Sequence, residues 1–271
     1  MSLYDKVFPP KKMTISNGKT IEKPASRLPL VAVILLIMTA ISVKITGFDL
    51  RVLAERGNQF FVILGMMIPP RVSYMSQKPL FDTIKMSLLG TVAGAVLVVP
   101  FAMAASTNVI KSRLVISVMR LFLSIVRTLP TLVTALIATY VFGLGTLAGT
   151  TAIAIFTFAY MGKILYEEIE TVDMGAFEAV EAIGATRVRA FVSAIIPQVL
   201  PSYISNGLFC FEGNVRYAAI LGYVGAGGLG LILNEKLGWR EYSSVGMILV
   251  MLFLTVFIIE SVSRYCRKKL V

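Results

Sequence analysis

Long apolar stretches are the feature of this sequence that most constrains its fold. Residues 28–46 contain a single charged side chain, Lys44, which lies near the end of the stretch. About 20 consecutive apolar residues cross a bilayer as a helix, and a terminal lysine can reach the headgroups. This stretch and five further apolar stretches therefore predict an all-α integral membrane protein with six transmembrane helices. We place these helices at 28–45, 81–106, 114–142, 146–161, 199–223 and 244–262.

The composition supports this prediction and excludes several classes of protein. Of the 271 residues, 56% are hydrophobic and 15% are charged, whereas soluble domains average about 45–50% and 25%. The sequence has no histidine, which excludes His-ligated metal sites, Ser-His-Asp triads and histidine general bases. Cys210 and Cys266 are the two cysteines, too few for a disulfide framework or a four-cysteine zinc site. We therefore expect neither a metal nor a cofactor.

The polar segments divide the chain into parts. No cleavable signal peptide is evident at the N-terminus, and the apolar run at 60–70 is too short to span a bilayer. The predicted parts are a cytoplasmic N-terminal tail at 1–27, a first transmembrane helix at 28–46, an outer loop at 47–79, a transmembrane core at 80–264 with a cytoplasmic loop at 163–198, and a basic cytoplasmic tail at 265–271.

The distribution of lysine and arginine predicts the orientation. With the N-terminus inside, the inner segments hold fifteen Lys and Arg residues and the outer loops hold six. Because cytoplasmic loops carry the excess of these residues, both termini are expected in the cytoplasm. The same arrangement accounts for the net charge of +11 through topology and contact with lipid. We therefore expect no nucleic-acid partner.

The cytoplasmic loop at 163–198 contains a short helix with signals at both ends. Asp173 is suited to cap its N-terminus. Gly184 is suited to end it in the left-handed conformation. Thr186 can cap the next helix, which we expect Pro197 to interrupt. The short helix is thus about 9 residues and 13–14 Å long, with rigid ends.

Two interpretations of this helix remain open from the pattern alone. Phe177, Val180 and Ile183 recur at the spacing of one helix face. The small residues Ala179 and Ala182 would let a partner approach closely. The helix can therefore seat in a groove of a partner protein, or it can lie flat on the membrane surface.

Glu212 and Arg216 are charged residues within the fifth predicted span. They are four residues apart with the acid first, which favours an ion pair along a helix. An isolated charge at the bilayer centre costs about 2.5–3.5 kcal/mol, so such residues face a partner or a water-filled path. Two roles remain open, a neutral pair that fixes packing and a pathway lining in which Arg216 attracts an anion.

The third predicted span is longer than one crossing requires. Pro130 breaks it into a tilted or bent entry helix followed by the span. Arg120 and Arg127 lie seven residues apart on the entry helix. An arginine can hold an oxyanion through two nitrogens, or it can reach the inner headgroups. We favour headgroup contact for Arg120 and leave both roles open for Arg127.

The segment 225–230 matches the GxGxxG pattern through Gly225, Gly227 and Gly230, with Gly228 beside them. A dinucleotide site also requires a βαβ unit and an acidic residue about 20 positions further on, where Val245 stands. We therefore interpret these glycines as a flexible, close-packing bend at the outer end of the fifth span. With no nucleotide site of its own, the chain would need a partner ATPase if ATP drives it.

The cytoplasmic loop resembles the EAA loop of ABC-importer permeases. The matching residues are Glu178-Ala179-Val180, then Gly184-Ala185 and Ile196-Pro197, with departures at Val180 for alanine and Ile196 for leucine. In that family the loop forms the coupling helix that docks on the ATP-binding subunit. The resemblance implies coupling roles for Phe177, Glu178, Ala179, Val180, Ala182, Gly184, Ala185 and Pro197.

Residues 60–265 are also similar to the phosphonate/phosphite-type permeases. The similarity rests on Ile68-Pro69-Pro70, on Arg127-Thr128-Leu129-Pro130, and on 211–216 followed by 221–230. Thr131 stands where members of that group often have an acidic residue, which leaves the exact solute open.

These resemblances imply a type I (MetI-like) ABC-importer permease fold in the bacterial inner membrane, a transport subunit and not an enzyme. The implied partners are two ATP-binding subunits, a second permease copy as a homodimer, a solute-binding protein, and a small phosphorus oxyanion (phosphonate, phosphite or phosphate). Candidate pathway residues are Arg127, Pro130, Glu212, Asn214 and Arg216. Candidate gate or packing glycines are Gly225, Gly227, Gly228 and Gly230. The alternatives are an importer for another solute such as methionine, and a self-contained channel or secondary carrier.

Overall fold

The computed structural model describes residues 11–14, 20–23, 28–71 and 77–270. Two short strands, β1 (Lys11–Thr14) and β2 (Thr20–Lys23), precede the helices. The helices are α1 Leu28–Ile45, α2 Leu50–Met66, α3 Gln77–Ala105, α4 Arg113–Thr128, α5 Thr131–Phe142, α6 Thr146–Thr171, α7 Gly175–Ala182, α8 Arg187–Ala190, α9 Ile196–Leu221, α10 Gly228–Gly238 and α11 Tyr242–Leu270.

Residues Met1–Val62 form one compact unit and Ile63–Val271 form a second. In the first unit, β1 and β2 pair as an antiparallel hairpin. None of the residues of α1 is buried, as expected for a helix whose apolar side chains face lipid. The predicted first span is therefore a helix with the expected bounds.

Helix α2 differs from the sequence expectation of an outer loop at 47–79. The structure forms a helix of 17 residues over Leu50–Met66, longer than the apolar run that the sequence showed. Asp49 Oδ1 accepts the backbone N–H of Arg51 at 2.8 Å, which satisfies one of the free donors at the helix start. Local capping thus extends the helix into a segment of mixed charge.

In the second unit, α3 and α6 pack along most of their length. A Cβ built on Gly94 would lie 2.5 Å from the carbonyl oxygen of Ala154, and one on Gly90 would lie 2.8 Å from Cβ of Ile153. Both positions therefore require glycine. The GxxxG spacing of Gly90 and Gly94 thus marks a close helix approach.

Small and medium side chains fill the interior where α3, α5, α6 and α9 meet. The buried members of this cluster are Met86, Ala135, Ala152, Ile153, Ala218, Leu221 and Ala226. Large apolar side chains point outward instead; Tyr140 is 84% exposed and Phe253 is 68% exposed. This inversion suits a bundle that is surrounded by lipid.

Helices α4 and α5 form a bent pair with an angle of 86° between them. Leu129 and Pro130 connect them in extended conformation, because proline cannot donate the backbone hydrogen bond that a continuous helix needs. The predicted break at Pro130 is therefore confirmed. Five helical segments are long and apolar enough to cross a membrane, and the bent pair makes up to six in the described residues, in agreement with the prediction.

Pro197 does not interrupt the helix that follows the cytoplasmic loop, so that expectation was wrong. Helical backbone runs from Arg187 through a π-helical segment at Phe191–Ile195 into α9. Pro197 lies in the first turn of α9, where the missing N–H costs little. The wider π turn just before it absorbs the change in hydrogen-bond pattern.

Candidate functional site

The N-cap of α7 is Met174, one residue after the predicted Asp173, and its side chain makes no capping hydrogen bond. Asp173 Oδ1 accepts the N–H of Gly175, the first residue of the helix, at 2.9 Å. After the helix, Thr186 Oγ1 accepts the N–H of Arg189 at 3.5 Å and so begins the next helical segment. Asp173 thus binds the first helical N–H from the position before the N-cap, and Thr186 is the N-cap that the sequence predicted.

The C-terminal end of α7 is closed by a Schellman motif around Gly184. Gly184 has φ of +90°, and its N–H donates to the carbonyl of Glu181 at 3.0 Å. The N–H of Ala185 reaches back to the carbonyl of Val180 at 3.4 Å. This pattern is the one in which glycine ends a helix in the left-handed region. Arg187 Nε also donates to Glu181 Oε1 at 3.1 Å across the turn.

Helix α7 has one packed side and one open side. Phe177 and Val180 are half-buried, but Ile183 is 84% exposed. Ile183, which the spacing placed on the same face, lies at the C-cap where the helix ends and does not share in this packing. The open side carries Glu178, Ala179 and Ala182.

The packed side of α7 contacts three of the long helices. Phe177 and Met174 border a buried cluster drawn from α3, α6 and the helical run that contains α9: Ala102, Leu165, Ile169, Ile195 and Val199. Asn108 donates to the carbonyl of Ile169 at 2.8 Å and lies 3.6 Å from Met174 Sδ. A displacement of α7 would therefore press on several spans at once.

An ion pair lies close to this packing. Glu170 Oε1 accepts the N–H and the hydroxyl of Thr107 at 2.7 and 2.6 Å and also pairs with Arg120. Arg120 Nε donates to the carbonyl of Ala105 at 2.9 Å. We expected Arg120 to contact lipid headgroups, but in the structure its guanidinium pairs with Glu170. A carboxylate within reach binds the guanidinium instead, and no local pattern in the sequence marked Glu170 as that partner.

Glu212 and Arg216 form the predicted ion pair, with Oε1 and Nη2 2.8 Å apart. Glu212 is 4% exposed, so its carboxylate lies inside the bundle. The structure adds a second cation, because Arg267 Nη2 lies 3.5 Å from Glu212 Oε2. Sequence analysis assigned Arg267 to a basic tail. Its position 55 residues further along the chain gave no signal of this contact.

Asn214, a candidate pathway residue, lies between three helices. Its amide Nδ2 donates to Thr91 Oγ1 at 2.8 Å and to Thr157 Oγ1 at 2.9 Å. The residue is 1% exposed. Within this chain its side chain therefore joins α3, α6 and α9 and does not line an open surface.

Arg127 and Pro130 lie at the corner between α4 and α5. Both are exposed, and Arg127 has no ion pair in the described part of the chain. Arg127 thus does not share a partner with Arg120, although the two are seven residues apart. The structure places Arg127 on a different element from Glu212 and Arg216.

The glycine segment forms a turn between α9 and α10. Three of its residues have positive φ: Gly225 at 79°, Gly227 at 81° and Gly228 at 68°. A Cβ on Gly230 would lie 2.1 Å from the carbonyl oxygen of Ala219. The N–H of Leu229 donates to Thr83 Oγ1 at 2.8 Å. The segment is thus a close-packing bend, as predicted, and it joins two helices where a dinucleotide site would need a strand.

Comparison with known proteins gives a family match and several relatives. Residues 97–270 match the family described as "Binding-protein-dependent transport system inner membrane component". The phosphite transport system permease protein PtxC of Stutzerimonas stutzeri is 34% identical over 208 residues, which cover 76% of each chain. The phosphate-import permease protein PhnE of Mycolicibacterium smegmatis is 32% identical over 213 residues, 77% of this chain. The chain spans 40% of that relative's length.

A more distant relative and the solved structures bear on the fold. The probable D-methionine transport system permease protein MetI of Vibrio cholerae is 29% identical over 124 residues, 44% of this chain and 55% of the relative. A chain from the inward-facing MetNI methionine ABC transporter matches with a TM-score of 0.64. It is 20% identical, and the match covers 73% of this chain and 97% of that one. The fold is therefore MetI-like.

Proposed function

Since the chain belongs to the family of binding-protein-dependent transport system inner membrane components, we propose that it is the permease subunit of an ATP-driven ABC importer. It conducts the solute across the bacterial inner membrane, with both termini in the cytoplasm. The chain itself has no nucleotide site in its sequence. A partner ATP-binding subunit therefore supplies the energy.

Helix α7 is the surface on which that partner docks. Its capped ends keep it straight, and its open side presents small side chains that allow close approach. Its packed side reaches α3, α6 and α9 through Phe177 and Met174. The proposal depends on this observation: one side of α7 is open to a partner, and its other side packs against α3, α6 and α9.

The working complex contains two copies of this chain, two ATP-binding subunits and an outer solute-binding protein. Closure of the ATP-binding subunits on ATP displaces both α7 helices. The two permease copies then rock between inward-open and outward-open states, a domain movement of a common kind. Glu178, Ala179, Val180, Ala182, Gly184, Ala185 and Pro197 serve coupling in this scheme.

The solute is a phosphorus oxyanion, namely a phosphonate, phosphite or phosphate. Two relatives that share about three quarters of this chain carry phosphite or phosphate in their names. Arginine is well suited to bind such groups through paired N–H donors. A methionine importer is the second candidate, favoured by the MetI relative, although that match covers less than half of the chain.

The docking proposal is tested by a bulky substitution on the open side of α7. Ala182→Trp, co-expressed with the ATP-binding subunit, should lose co-purification and ATP-dependent uptake of phosphite in proteoliposomes. Ala40→Trp is the matched control, because Ala40 is an exposed alanine on α1. It should retain both properties.

Two results would contradict the proposed function. One is uptake by Ala182→Trp at the wild-type rate with the ATP-binding subunit still bound. The other is full transport by this polypeptide alone in liposomes without nucleotide, which would indicate a channel or a secondary carrier. If the complex takes up methionine but no phosphorus oxyanion, only the proposed substrate class is wrong.

A further inference from the structure

Helices α6 and α9 enclose a groove beside Glu212. Its walls include Phe156, Tyr160, Phe209, Gly213, Arg216 and Tyr217. Aromatic rings form much of the surface; the ring of Phe156 lies 5.7 Å from that of Tyr217 and 6.0 Å from that of Tyr160. Arg216 is the charged side chain among the residues that line the groove.

Two guanidinium groups converge on one carboxylate at this groove. Arg216 and Arg267 each contact Glu212 through Nη2, at 2.8 and 3.5 Å, on different carboxylate oxygens. Neither contact is the two-nitrogen fork that arginine forms with a well-matched oxyanion. Two cations against one anion leave an excess positive charge.

Arg267 also has an unused donor. Its Nε is buried and has no acceptor among the described residues. Its guanidinium carbon lies 5.5 Å from the ring centroid of Phe209, and Phe209 is part of the groove wall. Arg216 therefore lines the groove, Arg267 packs against the groove-wall residue Phe209, and Glu212, 4% exposed, contacts both arginines.

Resting on the proposed function, we propose that this groove binds the phosphorus oxyanion during its passage and that Glu212 is a built-in substitute for it. While the groove is empty, the Glu212 carboxylate holds Arg216 and Arg267 in place. An oxyanion in the groove exchanges with Glu212 for Arg216. The aromatic walls receive the apolar substituent of an organic phosphonate.

A charge-removing variant tests the exchange. Glu212→Gln keeps the shape of the side chain but removes the competing anion. In the purified permease–ATPase complex, phosphite and methylphosphonate should then raise the midpoint of thermal unfolding at concentrations about tenfold lower than for wild type. Removal of one charge a few ångströms from the ligand corresponds to at least such a factor. Equal concentration dependence in the two proteins would overturn the proposal.

A lipid phosphate presents the same oxyanion chemistry, so the measurement is repeated in two settings. One uses delipidated detergent and the other uses nanodiscs that contain phosphatidylglycerol. The proposal expects the small oxyanions to act in both. If phosphatidylglycerol alone raises the unfolding midpoint and the small oxyanions do not, the groove is a lipid site and the proposal is wrong.

A second variant fills the groove without crowding the fold. A Cβ on Gly213 would meet no atom within 4 Å, so Gly213→Leu projects into open space. It should abolish oxyanion-induced stabilisation and reduce phosphite uptake at least tenfold. Gly57→Leu is the control, since Gly57 is also a helical glycine with nothing within 4 Å. Uptake by Gly213→Leu at the level of Gly57→Leu would contradict the proposal.

Failure of this inference is distinguishable from failure of the proposed function. If the wild-type complex imports phosphorus oxyanions with ATP but both groove variants match it, only the site is wrong. If the wild-type complex imports no phosphorus oxyanion, the proposed substrate fails, and this inference fails with it.

Discussion

Arg120 and Glu170 form an ion pair that joins α4 to the C-terminal end of α6. Thr107, in the turn after α3, donates twice to the same Glu170 oxygen. The turn after α3, helix α4 and helix α6 therefore meet at one carboxylate, in the last turn of α6 before the segment that leads to α7. We infer that this pair fixes the position of the chain segment that leads from α6 into α7.

Removal of this ion pair should weaken the bundle. Arg120→Met keeps an apolar stem but leaves Glu170 without its cation, and we expect a loss of about 1–2 kcal/mol in the free energy of unfolding because both groups are partly exposed. Denaturant titration of the purified protein measures it. Arg113→Met, an exposed position on the same helix, is the control. An equal loss in the two variants would exclude a specific role for the pair.

Substitution of Gly184 should uncouple transport from membrane insertion. Its φ of +90° is strained for any side chain, although space around it is open. Gly184→Val should therefore distort the end of α7 and abolish ATP-driven uptake while the protein still inserts. Gly184→Asn should retain more activity, because asparagine tolerates the left-handed region better. Normal uptake by Gly184→Val would count against coupling through α7.

Gly230 should tolerate no side chain. A Cβ there would lie 2.1 Å from the backbone oxygen of Ala219, so Gly230→Ala must separate α9 from α10. We expect a loss of at least about 1–3 kcal/mol in stability from overpacking. The control is Gly207→Ala, whose Cβ would meet only Met161 Cε at 3.8 Å. Thermal unfolding in detergent compares the two, and equal midpoints would refute the prediction.

Asn214 and Arg216 should respond differently to substitution. Asn214→Ala removes two buried hydrogen bonds and should lower the free energy of unfolding by about 1–3 kcal/mol. The molecules that still fold should select the same solutes as wild type. Arg216→Gln should reduce uptake more than stability, because 53% of the Arg216 side chain is exposed. Parallel measurements of unfolding and uptake check this. Altered selectivity in Asn214→Ala would restore Asn214 as a pathway residue.

The turn between α10 and α11 should loosen in acid. A hydrogen bond from Lys236 lowers the pKa of Glu241 below its ordinary value of 4.5. The stabilisation from Glu241 is thus fully present above that value and is lost as the pH falls through the lower pKa of the folded state. The protection factors for hydrogen exchange at Glu241–Val245, which are corrected for the intrinsic pH dependence of amide exchange, should fall over that range. Glu241→Gln should exchange faster at neutral pH and lose this pH dependence; an unchanged pH profile would contradict the assignment.

Much of the candidate site was readable in the sequence because its signals are local. The caps at Asp173, Gly184 and Thr186 each involve groups within a few residues, so residue type and spacing determine them. The pair of Glu212 and Arg216 follows from helical geometry in the same way. The bend at Pro130 follows from a missing N–H.

Other features depended on positions that are distant in sequence. Pro197 was expected to stop a helix, but a π segment before it preserves the helical run. Ile183 shares the spacing of Phe177 and Val180, but the helix ends at that residue and leaves it exposed while the other two are half-buried. Arg120 was assigned to headgroups, because nothing near it in sequence offers a carboxylate.

The sequence by itself determined the membrane-spanning character, the short helix that Gly184 ends and the family, since hydropathy, helix period and capping act over twenty residues or fewer. Only the tertiary structure decided that Arg120 meets Glu170, 50 residues away, and that Arg267 meets Glu212, 55 residues away. Charges pair by distance in space, and in a helical bundle that distance is set by which faces the packed glycines and alanines bring together.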